Sequence, residues 1–280
     1  VMIPMMVEKG YDADYAVGVT ISSAIQGVVV PPSHNMVLYS IVAGGVSVGS
    51  MFLAGMIPGL IMLASLMITG YLIGLKRGYG YGDPVIKKQI PGIIIHGLLS
   101  FTPAVIIVSA IISGWATATE AGAIAAVYAF VLAFLAYREA PLSNIWGVLI
   151  RTFRTVLMVF FLIAASQAFG WVMAYLHLPD IITEWFIGVS DKPWVILLMI
   201  NVLLLLLGGP MDMAPMILIL TPILLPVCVK LGMDPIQFGI IMIFNSGMGL
   251  LTPPVGTVLF VGCAIGKVSV EAGTRAMLPF

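Results

Sequence analysis

Ser22-Ser23-Ala24-Ile25-Gln26-Gly27-Val28-Val29-Val30-Pro31-Pro32-Ser33 sets two consecutive prolines inside an apolar run that carries no Asp, Glu, Lys or Arg from Ala16 to Leu75. Proline has no amide proton, its ring clashes with the preceding turn, and the residue before it avoids helical dihedrals. Two in a row, four residues after Gly27, predict an unwound point within a helix. Phe244 to Gly256, FNSGMGLLTPPVG, repeats the pattern near the other end of the chain, with Pro253-Pro254 four residues after Gly249.

Composition says what surrounds these breaks. Of the 280 residues, 61% are hydrophobic and 9% charged, with a mean hydropathy of +1.14. A soluble domain carries about 25% charged residues, so apolar surface on this scale calls for lipid. Freed carbonyls in lipid cost several kcal/mol each, and such breaks persist only inside protein or beside a polar cavity. The net charge is zero, which gives nucleic acid no handle. Cys228 and Cys263 stand alone in apolar runs and read as buried small hydrophobes, not as a disulfide or zinc framework. The chain opens on Val1 and closes inside an apolar segment at Phe280, which reads as a piece lacking both natural ends.

Charges and breakers divide the rest. Gly10 to Asp14 is a polar turn, and Ala16 to about Val48 is the first broken helix. Spans are expected at Met51–Leu75, Ile90–Ser113, Thr119–Tyr137 and Thr155–Leu176. Basic connections lie at Lys76–Gln89 and Arg138–Arg154, and an acidic one at His177–Lys192 with a short interfacial helix over Ile181–Val189. The two basic loops flank a pair of spans and so share a side, the cytoplasm by the positive-inside rule. The acidic loop falls on the far side. Pro193–Leu207 and Met216–Val229 flank Gly208-Gly209-Pro210-Met211-Asp212. Arms of about 15 residues reach roughly 22 Å, short of the ~30 Å hydrocarbon core, which predicts a re-entrant hairpin. Ile236–Ile265 is the second broken helix.

A shift of 222 residues aligns the start of the chain with its end. Pro4 meets Pro226, Gly10 meets Gly232, Asp12 meets Asp234, Gly27 meets Gly249, Pro31-Pro32 meet Pro253-Pro254, and Val46-Ser47-Val48 meet Val268-Ser269-Val270. Counting crossings, the two broken helices enter from opposite sides. Inverted repeats with discontinuous helices are a recurring design of secondary transporters. The expected class is therefore an all-α polytopic membrane protein with inverted repeats, a re-entrant hairpin and broken helices. Residues 1–50 form the first-repeat unit, whose hairpin would lie upstream. Residues 51–192 form connecting and scaffold helices. Residues 193–280 form the second repeat, with its hairpin tip at 208–215.

The breaks supply the candidate chemistry. A half-helix ending at a break presents a partial negative charge to a cation, and one beginning there presents a partial positive charge to an anion. Ser22, Ser23, Asn245, Ser246 and Thr252 are candidate side-chain ligands, and Gly27, Val30 and Gly249 candidate carbonyl donors. Asp212, the only charged residue between Lys192 and Lys230, reads as an ion ligand or as a helix cap. Ser33, His34, Ser246 and Gly256 are the candidate substrate contacts. Thr117-Ala118-Thr119-Glu120 has the form of a capping box. A single intramembrane aspartate and the absence of a Walker lysine motif argue against an aspartyl protease and against ATP binding.

GVVVPPS and GLLTPPVG, the hairpin GGPMDMAPMILILTPILLP and GWATATEAG together resemble the large membrane subunit of tripartite ATP-independent periplasmic (TRAP) transporters, over nearly the whole chain. The resemblance implies an elevator-type sodium symporter of the bacterial inner membrane. No cofactor beyond Na⁺ as coupling ion is implied. Implied partners are a small membrane subunit and a periplasmic solute-binding protein that delivers an organic acid of C4-dicarboxylate or sialic acid type. Carried over by position, Ser22, Ser23, Gly27 and Val30 would hold one sodium ion, and Asp212, Asn245, Gly249 and Thr252 the other. Ala118, where the family usually has proline, and His34, where it usually has an apolar residue, depart from the pattern. A stand-alone divalent-anion sodium symporter shares the architecture but carries Ser-Asn-Thr triplets at its tips and breaks.

Overall fold

A computed structural model describes residues 2–79, 90–137, 144–190, 192–253 and 256–280, and all regular structure among them is helical. Among the described residues, four helices are long and apolar enough to cross a membrane, or up to six if each bent pair counts as one span. The chain divides into two compact units, residues 1–84 with 177–280, and residues 85–176.

The first unit holds both broken helices. Helix α1 (Met2–Glu8) leads through Gly10, at φ +88°, to α2 (Ala13–Ala24), the short α3 (Gln26–Val29) and α4 (His34–Val42). The segments before and after Pro31-Pro32 are bent by 45°, as the double proline requires. Helix α5 (Val48–Lys76) follows. The chain re-enters this unit with α9 (Leu178–Val189), which packs on α11, then α10 (Pro193–Gly208), α11 (Met213–Lys230) and α12 (Pro235–Gly249). Helices α13 (Thr257–Gly266) and α14 (Val270–Met277) close it and are bent by 111° to one another. The expected breaks and hairpin arms are thus present. The hairpin turn is tighter than expected, since α11 starts at Met213 rather than Met216 and keeps Pro222 and Pro226 within it.

The 222-residue shift also holds in the backbone. Gly232 adopts φ +83° as Gly10 adopts +88°. Asp12 and Asp234 are the N-cap residues of α2 and α12. Ser47 and Ser269 cap α5 and α14, accepting from Ser50 N at 3.3 Å and Ala272 N at 3.2 Å. Packing is reciprocal: α2 lies on α13 and α14, and their counterparts α4 and α5 lie on α12. Ile25 and its shifted counterpart Gly247 meet each other, a Cβ on Gly247 standing 3.1 Å from Ile25 Cγ2. Cys263 Sγ fills the space at Gly273, and Tyr39 with Met51 fills that at Gly239.

Glycine also sets the closest approach in this unit. A Cβ on Gly249 would stand 2.5 Å from Gly208 Cα, so α10 and α12 touch backbone to backbone. Small residues are what allow membrane helices to approach this closely. At the start of α2, Arg77 forms a paired contact with Asp14 at 2.8 and 2.9 Å and reaches Asp12 at 3.0 Å, while Tyr79 Oη donates to Asp12 at 2.6 Å. This clasp ties the end of α5 to the entry of the first broken helix.

The second unit contains α6 (Ile90–Ile112), α7 (Ala118–Phe130) with a π-helical continuation over Val131–Ala136, and α8 (Ile145–Tyr175). The capping box forms as read: Thr117 Oγ1 accepts from Glu120 N, and the Glu120 carboxylate accepts from Thr117 N at 2.8 Å. Helices α6 and α7 pack through Ala110, Ala121 and Ala125, and Tyr128 Oη donates to Leu99 O at 3.2 Å. One boundary is corrected. Arg151 and Arg154 lie on the first turns of α8, not in a loop, because nothing from Ile145 onward breaks a helix. Long basic side chains reach out from the end of an apolar helix without unwinding it. Lys87, Lys88, Arg138 and Glu139 of the basic connections lie outside the described residues.

Two outcomes follow for thermal unfolding in detergent. Gly249→Ala is expected to lower stability by about 1–3 kcal/mol, with Gly208→Ala similar or milder, since its Cβ would meet Gly249 Cα at 3.0 Å. The bond from Tyr79 and that from Arg77 hold Asp12, and the Arg77 guanidinium holds Asp14, below the usual carboxylate range. A lowered folded-state pKa stabilises above the unfolded value of about 3.9 and is lost as pH falls through the folded value. Melting temperature should therefore drop as pH falls below about 4. Arg77→Gln should flatten that drop while costing less than about 1 kcal/mol at neutral pH, because solvent screens the clasp.

Candidate ion and substrate site at the paired breaks

The first break leaves oxygens without donors. Pro31 and Pro32 carry no N–H, so the carbonyls of Gly27 and Val28 have no partner four residues on. Val30 is extended at φ −83°, ψ 132°, and Ser33 at φ −119°, ψ 121° precedes α4 without capping it. Ser22 Oγ and Ser33 Oγ are buried and unpartnered. Gln26, one turn after Ser22 on the same face, donates from Nε2 to Gly59 O at 2.9 Å and keeps its buried Oε1 unpartnered. Asn35 faces Met213 Sδ at 3.6 Å through Nδ2, and its Oδ1 is likewise unpartnered. Among the described residues, five buried side-chain atoms lack a partner, and four of these lie between Ser22 and Asn35; the fifth is Thr221 Oγ1. Buried polar atoms are nearly always paired, by protein, water or an ion. Their concentration at the break makes it the candidate site.

The other residues read from the first break divide by face. Ser23 is exposed and its hydroxyl donates to Thr20 O at 2.9 Å. Gly27 is exposed, with no atom within 4 Å of where a Cβ would stand. Val30 packs on Gly59, and His34 is exposed at the first position of α4.

At the second break α12 ends at Gly249, and Thr252 N donates to Gly249 O at 2.9 Å in the turn that follows. Gly256, at φ +24°, precedes α13; Pro254 lies outside the described residues. Asn245 is buried and donates from Nδ2 to Ile241 O at 2.8 Å and to Asn201 Oδ1 on α10 at 2.9 Å. Ser246 donates to Met242 O at 2.7 Å beside Met216 Sδ, and Thr252 Oγ1 donates to Met248 O at 2.9 Å. Asp212 occupies the N-cap of α11 in an extended conformation, with its side chain exposed and making no capping bond. Among the described residues no hydrogen bond joins it to Asn245, Gly249 or Thr252.

A cavity of about 650 Å³ lies between the end of α2 and the end of α12, lined by Ser22 and Ile25 on one side, Met248 and Thr252 on the other, and Pro58 and Ser65 of α5. It brings Ser22 and Thr252 to one space. The donor set at the breaks is hydroxyl, amide and carbonyl oxygen, hard ligands of the kind that suit alkali and alkaline-earth cations. Sequence reasoning passed over Gln26, Asn35, Thr221 and Asn201. Gln26 was hidden because its shifted counterpart is Met248. Asn201 carried a usable signal, as the only amide in the arm Pro193–Leu207, where polar groups at membrane depth are expected to have a purpose.

Three related proteins agree over the whole length of this chain. It is 40% identical over 279 residues to the uncharacterized protein YgiK of Salmonella typhimurium, covering 100% of this chain and 64% of that one. It is 37% identical over 277 residues to the sialic acid TRAP transporter large permease protein SiaM of Vibrio cholerae, covering 99% and 65%. It is 36% identical over 280 residues to the C4-dicarboxylate TRAP transporter large permease protein DctM of Pseudomonas aeruginosa, covering 100% and 65%. The chain thus spans 64–65% of the length of these relatives. A family model described as "Tripartite ATP-independent periplasmic transporter, DctM component" matches residues 1–280, and with its apolar helices interrupted at two double prolines the chain belongs to that family of multi-pass membrane transport proteins.

Proposed function

We propose that this chain carries the ion- and substrate-binding part of a sodium-coupled permease that imports an organic acid across the bacterial inner membrane. The observation that carries the reading is the set of four unpartnered buried oxygens at the first break. Helix α3 ends there with its partial negative charge, and Na⁺ satisfies such oxygens without a proton to place. Ser22 belongs to this ion site with Gln26 beside it, and Gly27 and Val30 offer it backbone carbonyls, whereas the Ser23 hydroxyl is turned away onto Thr20 O. The symmetric site draws on Asn245, Gly249, Thr252 and Asp212 from the end of α12 and the hairpin tip. An anionic substrate suits the helix starts that follow the breaks, with Ser33 and His34 at α4, Gly256 at α13, and Ser246 nearby.

Reciprocal packing under the 222-residue shift, with Ile25 against Gly247 at its centre, supports two inverted copies of one unit. Such a pair presents one site alternately to the two sides, by an elevator-type movement. SiaM and DctM are named for sialic acid and C4-dicarboxylates, and a carboxylate of either type is the proposed cargo here. The proposed partners are a small membrane subunit and a periplasmic solute-binding protein that delivers the acid.

The test is uptake by the complete permease and its partners in proteoliposomes, across a panel of succinate, malate and N-acetylneuraminate, with and without a sodium gradient. At least one acid should accumulate only with inward sodium and only with the binding protein. Asn245→Ala and Asp212→Asn should each reduce that uptake by about tenfold or more while inserting normally. Uptake indifferent to sodium would refute the coupling, and uptake without a binding protein would favour the stand-alone symporter.

A further inference from the structure

Asn245 and Asn201 form a chain of hydrogen bonds whose direction is fixed at both ends. Asn245 Nδ2 donates to Ile241 O at 2.8 Å and to Asn201 Oδ1 at 2.9 Å, and Asn201 Nδ2 donates to Leu197 O at 2.8 Å. A backbone carbonyl only accepts. Ile241 O therefore requires the NH₂ edge of Asn245, and Leu197 O requires the NH₂ edge of Asn201. Turning either amide over would set acceptor against acceptor. Both Nδ2 hydrogens of Asn245 are used, so Oδ1 is the atom it has left to offer.

That oxygen belongs to a residue only 6% exposed, one turn before the end of α12 at Gly249. Positions 245 and 249 share a helix face, and there the backbones of α10 and α12 touch through Gly208 and Gly249. The arrangement is confined to the second copy. The shifted counterpart of Asn245 is Ser23, whose hydroxyl is turned back onto Thr20 O.

We propose that Asn201 is a positioning residue: from the first arm of the hairpin it holds the Asn245 amide so that Oδ1 is presented to the coupling cation. This rests on the sodium reading above and adds to it a reason for the only amide in an otherwise apolar arm. It also gives the hairpin a direct hold on the geometry of the ion site, since a shift of α10 against α12 withdraws Asn201 Oδ1, one of the two acceptors that hold the Asn245 amide. A pair that merely joined two helices would contribute to stability and leave ion affinity alone.

The two roles separate in a sodium titration of the purified complete permease. The readout is melting temperature against sodium chloride, with choline chloride at equal ionic strength as control. Asn201→Leu places an apolar side chain in a leucine-rich arm and should fold. It should raise the sodium concentration for half-maximal stabilisation about tenfold, with little change in the sodium-free melting temperature. Asn245→Ala should shift the midpoint at least as far, and Asn201→Leu combined with Asn245→Ala no further than Asn245→Ala alone, because the second change acts only through the first. A midpoint moved by Asn245→Ala but not by Asn201→Leu overturns the positioning role alone. No shift with Asn245→Ala, or no sodium-specific stabilisation of the unsubstituted protein, removes the sodium reading and this inference with it. If neither Asn201→Leu nor Asn201→Ala accumulates folded, the pair serves folding and the positioning role is overturned.

Discussion

The structure depends on a backbone that runs out of donors. Each double proline withholds two N–H groups from an apolar helix, and the carbonyls left behind must find partners in protein, in water or in an ion. Everything near the first break answers to that constraint. Gln26 is anchored by Gly59, Ser22 and Ser33 are buried with free hydroxyls, and Asn35 keeps a free oxygen beside Met213. A break in contact with lipid would cost more than the fold can offset. This one is stable because α5, α11 and α12 enclose it.

Enclosure in turn demands close packing, for which the hydrophobic effect gives no help between helices in lipid. Van der Waals contact and small residues must supply it. The glycines at 55, 59, 239 and 249 meet neighbouring atoms so closely that a Cβ would collide. Gly208 against Gly249 brings the hairpin tip to the end of α12, and Gly247 against Ile25 brings one break to the other. The result is a shared cavity that neither copy forms alone.

Charge is spent at the edges. Arg77, Asp12, Asp14 and Tyr79 clasp the entry of the first broken helix to the end of α5, and Thr117 with Glu120 caps α7. The polar side chains that line the cavity are the hydroxyls of Ser22, Ser65 and Thr252.

Much of this was legible in the residues. Double prolines end helices for local reasons, so the breaks, the hairpin arms and the capping box could be read from spacing alone. Helix α8 starts at Ile145, ahead of the expected Thr155, because the basic side chains of Arg151 and Arg154 extend from an intact helix. Side-chain partners were the larger gap. Ser23 and Ser22 are adjacent and chemically alike, yet one is turned outward onto Thr20 and the other buried without a partner. Gln26 and Asn201 matter through Gly59 and Asn245, which lie 33 and 44 residues away. Sequence by itself determined where the backbone opens, because proline and glycine act on their own turn. Only the tertiary structure decided which oxygens face the opening, because that depends on how distant helices cross and which side of each one they cover.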